Sequence, residues 1–97
     1  MFNFNLTDEL KLIIKKLSKK DKKRTDIINK KIRQIVNSDL EFVQHFKNLR
    51  HDLKDFKRVH IDSSFVLVFK VDVKDNFILF VDFDHHDKIY KKSYKSS

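Results

Sequence analysis

The fold of this chain is decided by residues 56–86, which read FKRVHIDSSFVLVFKVDVKDNFILFVDFDHH. Three runs rich in Phe and Val, residues 56–61, 65–72 and 76–86, are typical of β-strands with a buried face. Two short polar connections separate the runs, Asp62-Ser63-Ser64 and Lys74-Asp75-Asn76. Because connections of this length join neighbouring antiparallel strands, the stretch predicts a three-stranded antiparallel meander.

The N-terminal residues predict a short strand followed by a helix. Residues 2–6, FNFNL, alternate between apolar and polar side chains, which is the pattern of a strand with one buried face. Thr7 is a suitable N-cap, and the two acidic residues after it favour the positive end of a helix. Apolar residues then recur at helical spacing, with lysines between them, as far as Leu17.

Two more helices are expected before the meander. The charged residues 18–24 predict a turn, after which a second helix runs to about residue 37. Ser38-x-x-Glu41 has the form of a capping box and predicts a short third helix. The fold class is therefore α+β, a two-layer sandwich in which the N-terminal strand and helical hairpin pack on the antiparallel three-stranded meander.

Composition limits the classes of function. The 97 residues include 22 Lys and Arg against 14 Asp and Glu, a net charge of +8, and no Cys, Gly or Pro. Thiol nucleophiles, disulfides and glycine-rich phosphate-binding loops are thereby excluded. No run approaches the ~20 apolar residues of a membrane span, and no signal-peptide pattern is present. We expect a single cytoplasmic domain over residues 1–97, with residues 92–97 a frayed tail.

Basic charge is concentrated in two segments. Eleven Lys and Arg lie in residues 11–34, and four lysines lie in residues 88–97. Such clustering is typical of proteins that bind a polyanion, most often nucleic acid. An anionic membrane or an acidic protein partner would be attracted by the same charge, and Lys-rich helices can also simply be solvated.

Strand alternation sorts the candidate site residues by face. The face of the last strand that carries His86 is expected to hold Phe80, Asp82 and Asp84 as well. The opposite face is expected to hold Phe77, Leu79, Val81, Phe83 and His85. On the first meander strand, alternation groups Phe56, Arg58 and His60. If Val59 and Ile61 join the core, Arg58 and His60 would share a solvent-side groove with His86.

The polar residues of this groove suit metal-free RNA cleavage. That reaction needs a base for the ribose 2′-hydroxyl, cations for the phosphorane, and an acid for the leaving 5′-oxygen. Histidine side chains can transfer protons near neutral pH, so His86 and His60 are candidate catalytic groups. Arg58 is a candidate phosphate clamp, and Tyr90 could stack on a base or donate its hydroxyl proton. Further candidate ligands for RNA phosphates are Lys47, Arg50, Lys54, Lys57, Lys91 and Lys92.

Each assignment has a structural alternative. His86 could be a solvated residue at the end of a strand, His60 could hydrogen-bond across the sheet, and Tyr90 could cover the core. A second chemical alternative is a divalent metal site built from Asp82, Asp84, His85, His86 and Asp87. Because alternation places those five side chains on different faces, we expect no metal and no cofactor.

Three short motifs follow one another along the chain: Phe56-Lys57-x-x-His60-Ile61, Val66-Leu67-Val68-Phe69-Lys70 and His86-x-x-x-Tyr90. Their order and spacing resemble the RelE/ParE superfamily of toxins, and within it the YafQ-like messenger-RNA endonucleases. The resemblance implies a RelE-like fold and a toxin of a type II toxin–antitoxin system that cuts mRNA, usually on the ribosome. It also implies a RelB-like antitoxin partner, with a toxin–antitoxin heterotetramer as one expected assembly.

The same resemblance carries over individual positions and shows departures. His86 matches a histidine with a general acid or base role, His60 matches a first-strand histidine, and Tyr90 matches a C-terminal aromatic position. Ser64 stands in place of an aspartate and Lys47 in place of a histidine, while Val66 lies where other ribonuclease branches have an arginine. Two alternatives therefore stay open, a ParE-like toxin that inhibits gyrase and a noncatalytic member that only binds an antitoxin or nucleic acid.

Overall fold

The meander forms the centre of a five-stranded sheet in the computed structural model, which describes residues 1–50 and 53–94, without the side chains of residues 50 and 53–55. The sheet order is β1-β5-β4-β3-β2, with β1 parallel to β5 and the other pairs antiparallel. The strands are β1 Asn3–Leu6, β2 Asn48–Arg50, β3 Leu53–Ile61, β4 Phe65–Asp72 and β5 Phe77–His85. The helices are α1 Asp8–Lys20, α2 Lys22–Val36, α3 Leu40–Gln44 and α4 His86–Ile89. The predicted α+β sandwich is confirmed.

The helical hairpin differs from the prediction at its turn. Residues 18–24 were expected to form a turn, but both helices extend into them and only Asp21 lies between α1 and α2. The carboxylate of Asp21 accepts a hydrogen bond from the Arg24 backbone N–H at 3.0 Å and therefore caps α2. Thr7 caps α1 as predicted, accepting from the Leu10 N–H at 3.2 Å. In α3 the cap is Asp39 rather than Ser38, because the Asp39 side chain accepts from the Phe42 N–H.

Two elements, β2 and α4, are absent from the sequence-based prediction. Strand β2 pairs Asn48 with Lys57 and Arg50 with Leu53, so β3 begins earlier than residue 56. Helix α4 begins at His86, directly after β5, and its N-cap is His85. Both elements are only three or four residues long, which is too short for a hydrophobic period to be recognised.

Apolar side chains are buried on both faces of the sheet. The main core lies between the sheet and helices α1 to α3, and its fully buried members include Leu10, Ile28, Ile35, Val43, Leu67, Phe69, Ile78 and Phe80. A second cluster lies on the opposite face, where α4 covers the sheet; it comprises Leu49, Phe56, Val66, Val68 and Ile89. Within the described ranges, no helix is long and apolar enough to cross a membrane.

A β-bulge in β5 changes the predicted faces of this strand. Val68 pairs with Asp82 and Phe69 pairs with Phe80, so Val81 is an extra residue with no partner position on β4. Phe80 therefore lies in the main core together with Phe83, and its predicted grouping with Asp82 is wrong. The extra residue shifts the alternation by one position, which directs Asp82 toward the second cluster.

The turns of the meander use Asp and Asn where many proteins use glycine. Asp62, at the start of the β3–β4 turn, has φ of 60°, and Asn76, at the end of the β4–β5 turn, has φ of 51°. Asp and Asn tolerate this left-handed backbone better than other residues with a β-carbon. The chain therefore builds two tight connections without glycine.

Candidate functional site

The candidate site lies on the face of the sheet that α4 covers. Register places Arg58 of β3 next to Val68 of β4, and Val68 next to Asp82 of β5. A second row runs from His60 through Val66 to Asp84. Val59 and Ile61, on the opposite side of β3, pack in the main core. Since Val59 and Ile61 join the core, as the predicted groove required, Arg58 and His60 point away from the helical layer.

Two histidine rings face each other at the end of this groove. The His60 and His86 rings are stacked, with centroids 5.6 Å apart and planes inclined by 24°. The backbone N–H of His86 donates to the Ser64 carbonyl oxygen at 2.8 Å, which fixes the start of α4 against the β3–β4 turn. The His86 side chain is 42% exposed, so a substrate can reach it. The predicted juxtaposition of His60 and His86 is found, but His86 lies in α4 and not on the last strand, where alternation had placed it.

Tyr90 and Arg58 extend the site along α4. The Tyr90 ring meets the His86 ring edge to face at 4.8 Å, and the Arg58 guanidinium carbon lies 5.5 Å from the Tyr90 centroid. The four-residue step from His86 to Tyr90 places both side chains on one side of the helical turn. Arg58 Nε is buried and, among the described residues, has no hydrogen-bond partner. Arg58 also lines an open depression together with His60, so a ligand in that depression would meet its positive charge.

The sequence analysis did not assign a role in proton transfer to Asp87, which lies beside the histidines. Its carboxylate is 3.5 Å from His86 Nδ1 and 3.9 Å from His85 Nδ1. A carboxylate at this position can orient a neighbouring imidazole, as in other acid–base sites. The His85 ring instead meets Phe65 edge to face at 5.5 Å, away from His60. The sequence did contain a signal for this role of Asp87, since its carboxylate directly follows the candidate His86.

The predicted phosphate ligands do not all reach this groove. Lys47 lines an open depression together with His45, Phe46, Arg58, Val59 and His60, and its carbonyl oxygen accepts from the Arg58 N–H at 3.0 Å. Lys57 lies on the opposite side of β3 from Arg58, and its ammonium donates to Asn48 Oδ1 at 2.8 Å. Lys91 is exposed after α4. The side chains of Arg50 and Lys54 lie outside the described residues.

Lys92 is half-buried and its ammonium is held by two carboxylates. Its ammonium lies 2.7 Å from Asp82 Oδ2 and 3.0 Å from Asp84 Oδ2. Residues 92–94, expected to fray, are therefore tied to β5. Burial acts to lower the pKa of Lys92, but its hydrogen bonds with Asp82 and Asp84 outweigh burial and raise that pKa. For Asp84 the directions are reversed: burial acts to raise its pKa, but the hydrogen bonds from Lys92 and the His85 N–H outweigh burial and lower it.

These shifts predict how stability depends on pH. The lowered pKa of Asp84 adds stability above the ordinary value of 3.8, and this contribution is lost as pH falls through the folded-state pKa. The raised pKa of Lys92 adds stability below 10.5, lost as pH rises through its folded-state value. We expect urea unfolding between about pH 2 and pH 6 to show that Asp84→Asn removes part of the acid dependence of wild type. Asp75→Asn, in an exposed turn, is the control, and an unchanged acid dependence in Asp84→Asn would contradict the prediction.

The acidic side chains of β5 are engaged in this ion-pair cluster. In the part of the chain that the structure describes, no three His, Asp or Glu side chains are grouped so that they could hold a metal ion. Asp82 and Asp84 turn toward Lys92, whereas His85 and His86 lie beside Asp87. The five residues considered for a metal site are therefore not brought together.

Comparisons with proteins of known sequence match most of the length of this chain. Residues 6–90 match the family model of the ParE toxin of the type II toxin–antitoxin system, parDE. A candidate toxin RelE4 of Methanocaldococcus jannaschii is 53% identical over 92 residues, which cover 95% of this chain and 94% of that protein. A functionally uncharacterized protein of Methanosarcina mazei is 42% identical over 90 residues, which are 93% of this chain and all of that one.

Solved structures show the same fold at low sequence identity. The crystal structure of YafQ from E. coli strain BL21(DE3) superposes with a TM-score of 0.69 at 15% identity, covering 93% of this chain and 99% of YafQ. HP0894 from Helicobacter pylori gives a TM-score of 0.57 at 20% identity, covering 90% and 97% of the two chains. With the family match and the 53% identical relative, this chain belongs to the RelE/ParE superfamily of toxins from type II toxin–antitoxin systems, whose members are partnered by an antitoxin.

Proposed function

We propose that this toxin is a metal-independent endoribonuclease, an mRNA interferase that inhibits translation by cutting mRNA on the ribosome in the cytoplasm. The observation that carries the proposal is the stacked pair His60 and His86, 5.6 Å apart, with Arg58 and Tyr90 beside it. Two imidazoles at this separation can act on one phosphodiester, since each has a ring nitrogen that can accept or donate a proton. The relatives named RelE4 and YafQ support the same reading.

In the proposed reaction the nucleophile is the 2′-oxygen of the RNA itself, and the protein supplies acid–base catalysis. One histidine accepts the proton of the ribose 2′-hydroxyl, and the 2′-oxygen forms a bond to the phosphorus. The bond between phosphorus and the 5′-oxygen breaks, and the second histidine donates a proton to that oxygen. The products are a 2′,3′-cyclic phosphate and a free 5′-hydroxyl. DNA cannot follow this route because it lacks the 2′-hydroxyl.

The neighbouring residues supply charge and a stacking surface. Arg58, which lines the open depression together with His60, would bind a nonbridging phosphate oxygen and stabilise the phosphorane. Lys47, which lines the same depression as His60, would add positive charge for the adjoining phosphate. Tyr90 would stack on an unpaired base, an interaction worth roughly 1–3 kcal/mol. Asp87 would hold the His86 ring in orientation.

The partner that silences the toxin is proposed to be RelB-like. Positive charge on α1 and α2 favours an acidic binding segment, and such segments often fold as they bind. A heterotetramer of two toxins and two antitoxins is the assembly that we propose for the inhibited state.

A second candidate function is gyrase inhibition, and the match of residues 6–90 to the ParE toxin family favours it. This function would leave transcripts intact and would produce DNA damage. In that case the groove of His60 and His86 would have no role in chemistry, and substitution of either histidine would leave toxicity unchanged.

One experiment separates these functions. We expect that induction of the toxin in a host without its antitoxin produces new transcript ends with 5′-hydroxyl groups within minutes, before DNA breaks accumulate. Sequencing of 5′-hydroxyl ends, in parallel with an assay for double-strand breaks, measures both outcomes. Early DNA breaks with unchanged transcript ends would support gyrase inhibition and overturn the ribonuclease proposal. Antitoxin binding without either effect would indicate a noncatalytic member.

A further inference from the structure

The segment that follows α4 is fastened to β5 by a cluster that we call the C-terminal clamp: Asp82, Asp84, Lys92 and Tyr94. Asp82 Oδ2 accepts from the Lys92 ammonium at 2.7 Å and from the Tyr94 hydroxyl at 2.9 Å. Asp84 takes the other side of the Lys92 ammonium at 3.0 Å. The Tyr94 ring also packs on Phe56 of β3, with centroids 5.7 Å apart. The clamp thus joins the end of the described chain to two strands.

The position of Asp82 results from the β-bulge at Val81. In an uninterrupted strand the alternation would direct Asp82 toward the apolar main core, but the extra residue directs it to the face that α4 covers. Its side chain is only 11% exposed, and its other oxygen accepts from the Phe83 N–H at 2.9 Å. A largely buried carboxylate is tolerated when its oxygens are hydrogen-bonded in this way.

The clamp holds the helix that carries the candidate catalytic side chains. Helix α4 is fixed at its start by the bond from the His86 N–H to the Ser64 carbonyl oxygen, and at its end by Ile89, which is buried in the second cluster. After α4, the N–H of Lys92 donates to the Ile89 carbonyl oxygen at 3.2 Å, so the clamp acts directly on the last turn. Tyr90 lies between that turn, the His86 ring and Arg58.

We propose that Asp82 is a positioning residue for RNA cleavage, which acts through Lys92 and Tyr94 to hold α4 so that His86 and Tyr90 remain against His60 and Arg58. This inference rests on the proposed ribonuclease function. Loss of the clamp would leave the catalytic groups present but displaced. Because displacements of about 1 Å can lower a rate by as much as ~10²-fold, a clamp of this kind matters for turnover.

The proposal assigns Lys92 a role different from the phosphate contact expected from sequence. Lys91 and Lys92 are neighbours of equal charge, but Lys92 contacts the carboxylates of β5, whereas the described Lys91 side chain is exposed after α4. If both lysines bind RNA, replacing either one weakens substrate binding. If Lys92 belongs to the clamp, Lys92→Ala lowers kcat at little cost in KM, whereas Lys91→Ala acts on KM through lost phosphate attraction.

The test compares cleavage by purified variants in a translating extract, with toxin concentration and mRNA varied to separate kcat from KM. We expect Asp82→Asn and Lys92→Ala to lower kcat about 10-fold, while Lys92→Arg, which can still bridge both carboxylates, recovers most of the rate. Asp75→Asn, the same chemical change in the exposed β4–β5 turn, should match wild type. A change in KM alone for Lys92→Ala, or a wild-type kcat for Asp82→Asn, would overturn the proposal.

Amide hydrogen exchange provides a readout that does not need activity. In Asp82→Asn, the amides of Tyr90, Lys91 and Lys92, which donate to carbonyls of α4, should exchange faster, while β4 amides exchange as in wild type. Unchanged exchange at these three amides would show that the clamp does not hold α4. If wild type itself does not cleave RNA, the ribonuclease proposal fails, which is distinguishable from a clamp that fails in an active enzyme.

Discussion

Replacing His86 with alanine is expected to lower mRNA cleavage by about 10²–10⁴-fold, the range that one acid–base group usually contributes. His86 faces His60 at 5.6 Å and contacts Tyr90 at 4.8 Å, so its loss removes one of the two proton-transfer groups and one wall of the site. The side chain is 42% exposed and its backbone makes the bond to Ser64, so the fold should tolerate the change. Sequencing of 5′-hydroxyl transcript ends after induction measures the loss.

His85 offers a matched control for that experiment. It is the neighbouring histidine, but its ring contacts Phe65 rather than His60. Its Nδ1 accepts from the Asp87 N–H at 3.4 Å and caps α4, so His85→Asn retains a capping acceptor. We expect His85→Asn to cleave mRNA at a rate close to that of wild type. Equal loss in both variants would point to damaged structure, and full cleavage by His86→Ala would remove His86 from the mechanism.

The parts of the fold that sequence could predict are those set by local patterns. Turn residues at 62–64 and 74–76 separate three Phe- and Val-rich strands, and the structure has its meander at those positions. On β3 the alternation is uninterrupted over the site, so Arg58 and His60 were correctly placed on one face and Val59 and Ile61 on the other. The same alternation places Lys57 on the opposite face of β3 from Arg58. Lys57 was predicted to bind phosphate beside Arg58, and this grouping is not found.

Features that depend on pairing between strands could not be predicted in this way. The bulge at Val81 is defined by β4 residues opposite it, and nothing in the sequence around residue 81 marks an extra residue. Once it is present, Phe80 belongs to the core and Asp82 to the clamp. The clamp itself joins β5 to Lys92 and Tyr94 across a helix, and a lysine in a basic tail gives no sign that it has two buried or half-buried carboxylate partners.

The structure also explains why Phe69→Ala should be the most damaging single truncation of the core. Phe69 lies in β4, the central strand, and is fully buried. Its ring meets Phe46, just after α3, edge to face at 5.6 Å and lies 5.7 Å from the Phe80 ring of β5. Truncation of a buried Phe to Ala typically costs about 3–5 kcal/mol, roughly a fifth or more of the ~5–15 kcal/mol that stabilises a domain. Urea unfolding should show this loss in the free energy of unfolding. Thermal unfolding should show a midpoint temperature lowered by more than about 10 °C.

Phe42 provides the matched control for Phe69→Ala, because it contacts the same Phe46 ring. Its ring meets Phe46 edge to face at 5.4 Å, yet the residue is 40% exposed. Phe42→Ala deletes the same atoms without opening an enclosed cavity, so its cost should be below about 1.5 kcal/mol, from the lost aromatic contact and partial burial. Similar losses in the two variants would mean that the aromatic chain is loosened as a unit. A small loss in Phe69→Ala would mean that α3 can collapse onto β4 and fill the cavity, and would contradict the rigid packing argued for this core.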